Sequence, residues 1–120
     1  MNVHQFLQAY GRAWERRDAE LAASLFTEDA TYQEQPFGEP LVGRDAIRTY
    51  WKNATATQTE IDFLAREPVS SGKLLIAEWG CRYLHIPTGK RRELRGILLA
   101  EFAGDRVRIF REYWHRRETP

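Results

Sequence analysis

Apolar residues recur at helical spacing early in the chain and at alternate positions towards its end. Val3, Phe6, Leu7, Tyr10, Ala13 and Trp14 place one apolar stripe on a first helix, with Arg12, Glu15 and Arg16 on other faces. Asp18 suits the N-cap of a short second helix, with Glu20 favourable in its first turn and Leu21, Ala22, Leu25 and Phe26 on its buried side. Asp29 to Gln33 predicts a brief strand. Pro36, Gly38 and Pro40 then break regular structure, and a third helix is expected from about Gly43-Arg44-Asp45, presenting Ile47, Tyr50 and Trp51. From residue 58 the period becomes two: Thr59, Ile61, Phe63 and Ala65 alternate with Glu60, Asp62 and Leu64. Ser70-Ser71-Gly72-Lys73 and Pro87-Thr88-Gly89-Lys90 bound the longest strand candidate, 74–86. A further strand over 91–102 turns at Ala103-Gly104-Asp105-Arg106 into a last one running to about His115.

Hairpin-length links between these strands predict an antiparallel meander. Helices at the start and strands at the end indicate an α+β fold. Both parities of 74–86 carry apolar residues: Leu75, Ala77, Trp79, Cys81 and Tyr83 on one, Leu74, Ile76, Leu84 and Ile86 on the other. A half-exposed sheet alternates more cleanly. Helices covering the concave face and a second copy covering the outer face would account for the pattern, which makes a homodimer the expectation; a longer local core would give a similar pattern.

The 120 residues fit one domain, 1–120, and a 42% apolar fraction is enough for a core. With 18 basic and 17 acidic residues the net charge is +1, so neither nucleic acid nor membrane is an expected partner. The arginines at 106, 108, 111, 116 and 117 are interrupted by Glu112 and Glu118 and would be spread over two strand faces. One cysteine, Cys81, excludes a disulfide framework and reads as a small core hydrophobe. Met1-Asn2-Val3-His4-Gln5 lacks a leader pattern and no apolar run approaches the ~20 residues needed to cross a bilayer, so a soluble, cytoplasmic protein is expected. His4, His85 and His115 are isolated, no phosphate loop or nucleophile elbow is present, and neither metal nor cofactor is expected.

The pattern Tyr10…Ala13-Trp14…Asp18…Leu25-Phe26…Asp29-Ala30-Thr31, then Glu39-Pro40…Gly43…Ala46-Ile47…Tyr50, resembles the SnoaL-like group of the nuclear transport factor 2-like superfamily, as does the ending Phe110-Arg111-Glu112-Tyr113-Trp114. The resemblance spans nearly the whole chain. It implies a cone-shaped barrel of N-terminal helices packed on a curved, mostly antiparallel sheet, with a ligand pocket between the layers. The fold hosts isomerases, cyclases, dehydratases, hydrolases and non-catalytic binders, so it does not itself fix an activity. Within that resemblance ketosteroid isomerase is the mechanistic comparison, with an Asp base and an oxyanion hole of a Tyr and a protonated Asp. Aligning the N-terminal halves puts Tyr10 on the oxyanion-hole tyrosine and Glu34, just after the short strand, on the base; counting back from Phe102 puts Leu98 on the protonated acid. Leucine cannot donate to an enolate oxygen, so steroid isomerisation is not expected. The same comparison puts Phe110, Glu112 and Trp114 on the pocket-facing parity.

The expected catalytic residues are therefore Glu34 and Tyr10, and the expected ligand lining is Trp14, Phe37, Trp51, Trp79, Leu98, Phe110, Glu112 and Trp114. Two carboxylates in an apolar cavity raise each other's pKa, which poises one near neutral pH. Arg82 or His85 would be an alternative partner for one of them. Each residue also has a plainer reading: Tyr10 as a core tyrosine, Glu34 as a solvated turn residue, Glu112 as a cross-strand partner of an arginine, and the four tryptophans as core. The functional expectation is a pocket for a small apolar molecule bearing a carbonyl or hydroxyl, used for cofactor-free isomerisation, cyclisation or dehydration. The alternatives are a non-catalytic binder of small hydrophobic ligands and a dimerisation module.

Overall fold

The chain folds around one strongly curved sheet whose inner face is roofed by three helices. The computed structural model describes residues 2–119, so the outermost residues of the expected domain, Met1 and Pro120, lie outside the described residues. The elements are α1 (Val3–Glu15), α2 (Ala19–Ser24), β1 (Phe26–Gln33), β2 (Leu41–Val42), α3 (Arg44–Thr55), β3 (Gln58–Ala65), β4 (Val69–Ser71), β5 (Leu74–His85), β6 (Lys90–Ala103) and β7 (Arg106–Thr119). The α+β architecture is the one expected from the segregation of helical and period-two segments.

Local chemistry sets the helix ends. Asn2 caps α1 reciprocally: its side chain accepts from the Gln5 N–H at 2.8 Å while the Gln5 side chain accepts from the Asn2 N–H at 3.0 Å. Asp18 caps α2 by accepting from the Leu21 N–H at 3.0 Å. Gly43 opens α3 at a φ of 94°, a left-handed conformation that glycine adopts without steric cost. Arg44 then donates through Nε and Nη2 to the Phe26 carbonyl at 3.0 and 2.7 Å, tying α3 to β1.

The strand order is β2-β1-β7-β6-β5-β3, with β4 on β5. The meander β3, β5, β6, β7 is antiparallel as expected, but β1 joins it parallel to β7, with Tyr32 opposite Phe110. The sheet is open, because the end strands β2 and β3 are not paired with each other. One parity of each long strand faces the helices. Leu75, Ala77, Trp79, Cys81 and Tyr83 of β5 are all buried, and with Leu98, Ala100, Val107 and Phe110 they meet Phe6, Leu7, Tyr10, Ala13 and Trp14 of α1 in one core. Burial pushes the Cys81 thiol well above its ordinary pKa, which leaves it an inert core group.

The other parity carries the apolar residues that suggested a covered outer face. Ile97 and Tyr113 lie directly opposite each other on β6 and β7, and Val69 opposite Ile76 on β4 and β5; all four are substantially exposed. Among the described residues no helix is long and apolar enough to cross a membrane.

Candidate functional site

The register across the inner sheet face places a tryptophan on either side of a glycine. Trp79 of β5, Gly96 of β6 and Trp114 of β7 are successive partners in one row, so a residue without a side chain separates two tryptophans. A Cβ at Gly96 would lie 2.3 Å from the Tyr113 carbonyl oxygen and 2.7 Å from the Trp114 Cβ, so the approach of β6 to β7 here requires glycine. Above this row, α1 and α3 stand off the sheet and enclose a cavity of about 210 Å³. α1 contributes Tyr10 and Trp14, β1 and its end contribute Tyr32 and Glu34, and α3 contributes Tyr50, Trp51, Ala54 and Thr55. The rest of the lining is Gln58, Trp79, Tyr83, Leu94, Glu112 and Trp114.

Two carboxyl groups sit in this aromatic shell. Glu112 is 6% exposed and lies between two phenols, accepting from Tyr10 Oη at 3.3 Å through Oε2 and from Tyr32 Oη at 3.2 Å through Oε1. Burial pushes its pKa up to about 8 and the Glu34 charge adds to the rise; the two phenol hydrogen bonds oppose it without cancelling it. Glu112 therefore holds its proton at neutral pH. Burial and the Glu112 charge also raise Tyr10 and Tyr32 well above the ordinary phenol value, so both stay protonated. Glu34 accepts a hydrogen bond from the Tyr50 hydroxyl, and Tyr50 too is raised by burial and by Glu34. Among the described residues no lysine, arginine or histidine lines the cavity. The chemistry available is a buried acid and a partly exposed carboxyl group in an aromatic-walled cavity.

Packing holds these groups in place. Phe110 stacks on Tyr32 at 4.7 Å and on Tyr10 at 5.6 Å, so it stands behind both phenols and fixes them against Glu112. Trp14 donates Nε1–H to Gln58 Oε1 at 2.8 Å. The Nε1–H groups of Trp51 and Trp79 are sealed inside the aromatic cluster and have no hydrogen-bond partner among the described residues.

Of the residues singled out from the sequence, Tyr10, Trp14, Glu34, Trp51, Trp79, Glu112 and Trp114 come together in the cavity wall. Three do not. Phe37 is fully exposed: the Gly38 N–H bonds the Gln35 carbonyl at 3.1 Å and Gln33 Nε2 bonds the Gly38 carbonyl at 2.9 Å, closing a tight turn that projects Phe37 into solvent. Leu98 and Phe110 are fully buried in the core and do not line the cavity. Arg82 and His85 do not reach the carboxylates; Arg82 pairs with Asp62 and His85 with Thr88. The tyrosines at 32, 50 and 83 join the lining without having been expected there. Tyr32 carried a usable signal, since it lies two positions before Glu34 and so shares its strand face. Tyr50, adjacent to Trp51 on α3, carried none.

The model of the SnoaL-like domain family matches residues 7–110. Solved structures with the same fold include a protein from Catenulispora acidiphila with a ketosteroid isomerase-like fold, in complex with trimethylamine (TM-score 0.83, 16% identity, 93% of this chain and 86% of that one). They also include the epoxide hydrolase/cyclase-like enzyme SalBIII of pyran ring formation in salinomycin (TM-score 0.81, 18% identity, 93% and 89%). A third is a Bacillus subtilis protein provisionally classed as an isomerase (TM-score 0.85, 23% identity, 96% and 90%). At these identities the likeness concerns the fold. No curated protein matches the sequence at a significant level.

Proposed function

We propose that this chain, which belongs to the SnoaL-like domain family, is a cofactor-independent acid–base catalyst acting on a small, largely apolar molecule with a carbonyl or hydroxyl group. The observation that carries the reading is the unequal pair of carboxyl groups, one protonated and locked between two phenols, the other at the end of β1 with Tyr50. Environments that separate two titratable groups in this way assign them opposite roles. Glu34 takes a proton from carbon or oxygen. The Glu112 carboxyl supplies a hydrogen bond or a proton to the oxygen that gains charge, an interaction strengthened by exclusion of water.

Two features differ from the sequence expectation. Tyr10 is bonded to Glu112 and is assigned as a positioning residue, since its hydroxyl is engaged there. The acid that the family resemblance placed at Leu98 is supplied from the neighbouring strand: Leu98 pairs directly with Glu112, so a carboxyl on β7 occupies the same row of the same sheet face. The epoxide hydrolase/cyclase-like and isomerase descriptions of two neighbours are compatible with such paired acid–base chemistry.

The test is deuterium wash-in. The protein is incubated in D₂O with a panel of small ketones and aldehydes, and exchange next to the carbonyl is followed by proton NMR. Exchange above the buffer rate, together with ligand-dependent thermal stabilisation, is the expected result. Stabilisation without exchange for any compound would favour the non-catalytic binder; neither effect would count against a ligand pocket.

We also propose a homodimer through the outer sheet face, supported by the exposed apolar cluster of Val69, Ile76, Ile97 and Tyr113. Light scattering behind size exclusion should give twice the chain mass, and Ile97→Glu should halve it. An unchanged mass in the variant would rule this face out.

A further inference from the structure

Resting on the reading of this cavity as a ligand site, we propose that its ligand carries one positive charge, an ammonium or quaternary ammonium group received by Glu34 and the aromatic walls. Among the described residues the chamber contains no protein cation. The chain has 18 lysines and arginines, yet none lines the cavity, which holds two carboxyl groups. An acidic group in a low-dielectric chamber is ordinarily accompanied by a protein cation, because an uncompensated charge there is costly. Here Glu34 accepts from Tyr50 and has no cationic partner among the described residues that line the cavity.

The donor inventory points the same way. The hydroxyls of Tyr10 and Tyr32 are directed to Glu112, that of Tyr50 to Glu34, and the Trp14 Nε1–H to Gln58. The protons nearest the carboxyl groups are thus already engaged. What remains for a ligand beside Glu34 is carboxylate lone pairs and ring faces, which are electron-rich, while the Glu112 proton is the donor left for an oxygen-bearing end. Eight of the fourteen lining residues are tyrosine or tryptophan, including all four tryptophans of the chain. Ring faces of this kind attract a cation, most strongly where water is excluded. An anionic ligand would face repulsion from Glu34, and a neutral one would gain a hydrogen bond from it at most.

The size of the chamber limits the ligand further. At roughly 30 Å³ per water, a cavity of about 210 Å³ admits a molecule of only a few to about ten heavy atoms. Such a molecule can set its charged end against Glu34 and its oxygen-bearing end towards Glu112; a quaternary ammonium has no N–H, so the Glu34 oxygens stay free to take a proton from the carbon beside it. Binding neutralises Glu34 without a protein cation and so selects amine-bearing substrates from their neutral isosteres.

The experiment compares three probes of one shape: choline, its uncharged carbon analogue 3,3-dimethylbutan-1-ol, and the anion 3,3-dimethylbutanoate. Affinities for the full chain are measured by calorimetry, and the indole N–H resonances of Trp51 and Trp79 locate binding in the cavity. Choline should bind at least about tenfold more tightly than the alcohol, and the anion most weakly. Glu34→Gln should lower the choline-to-alcohol ratio severalfold, the aromatic walls keeping a remainder, and Trp51→Leu should weaken choline more than the alcohol. If the alcohol binds as well as choline and shifts the same indoles, the charge inference fails and the ligand-site reading stands. If the preference for choline is as large after Glu34→Gln as before it, the assignment to Glu34 is wrong. If none of the probes shifts those resonances, the charge inference and the ligand-site reading fail together.

Discussion

Raising the pH from 5 to 8.5 should lower the melting temperature of this protein by roughly 10 °C or more, and Glu112→Gln should remove most of that fall. The cause is the buried carboxyl between Tyr10 and Tyr32. In the unfolded chain a glutamate titrates near 4.5, whereas burial and Glu34 push the folded value up to about 8. A carboxyl raised on folding stabilises the folded state fully below the lower value and loses that contribution as pH rises through the upper one. Between the two the folded protein holds a proton that the unfolded chain has released, at up to ~1.4 kcal/mol per pH unit. The whole window is worth several kcal/mol, and ~1 kcal/mol moves the midpoint of a chain this size by roughly 4 °C. The substituted glutamine would keep the shape but cannot ionise: its amide oxygen can accept from one phenol and its NH2 group can donate to the oxygen of the other. The variant's melting curve should match the parent near pH 5 and lie well above it at pH 8.5. Parallel curves across the range would show that Glu112 does not hold its proton.

The helices were readable because their apolar stripes and caps are local: the α1 stripe and the Asp18 cap need only neighbours in sequence. The four long strands were readable from period and turn chemistry. What escaped depended on distant partners. Phe26 fits a helical stripe or a strand equally well, and it opens β1 because Val107 on β7 is its partner. β2 and β4 have two and three residues, too few to display a period. Phe37 was expected in the pocket on apolarity alone, but the hydrogen bonds of its turn decide its direction. The acid was the largest case. A count along one strand ended at Leu98, while the carboxyl stands one strand over at Glu112, and only the register of β6 on β7 shows that the two share a row. The need for glycine at 96, between two tryptophans and close against β7, is likewise visible in the pairing and not in the order of residues.

Glu34→Gln should reduce the deuterium wash-in rate by ~10²–10⁴, the range attributed to a positioned general base, with the melting temperature at neutral pH changed by only a few degrees. Glu34 lies just after β1, half-buried at the cavity wall, so the substitution removes no packed core atoms. The new amide oxygen can still accept from Tyr50, so the local hydrogen bond survives. What is lost is the ability to take a proton, and kcat should carry the loss while KM for a neutral substrate stays within a few-fold. Tyr50→Phe separates base from scaffold: the carboxylate remains but loses the hydroxyl that orients it. That variant should retain most of the exchange activity, because the carboxylate that takes the proton is still present. The same substitution at Glu112 has a different signature. Glu112→Gln keeps a donor and both phenol contacts, so it should lose the high-pH limb of the rate profile, where the parent sheds its proton near 8, and retain activity at neutral pH better than Glu34→Gln does. If Glu34→Gln exchanges protons as fast as the parent while Glu112→Gln does not, the base is the buried carboxyl and the two roles are reversed.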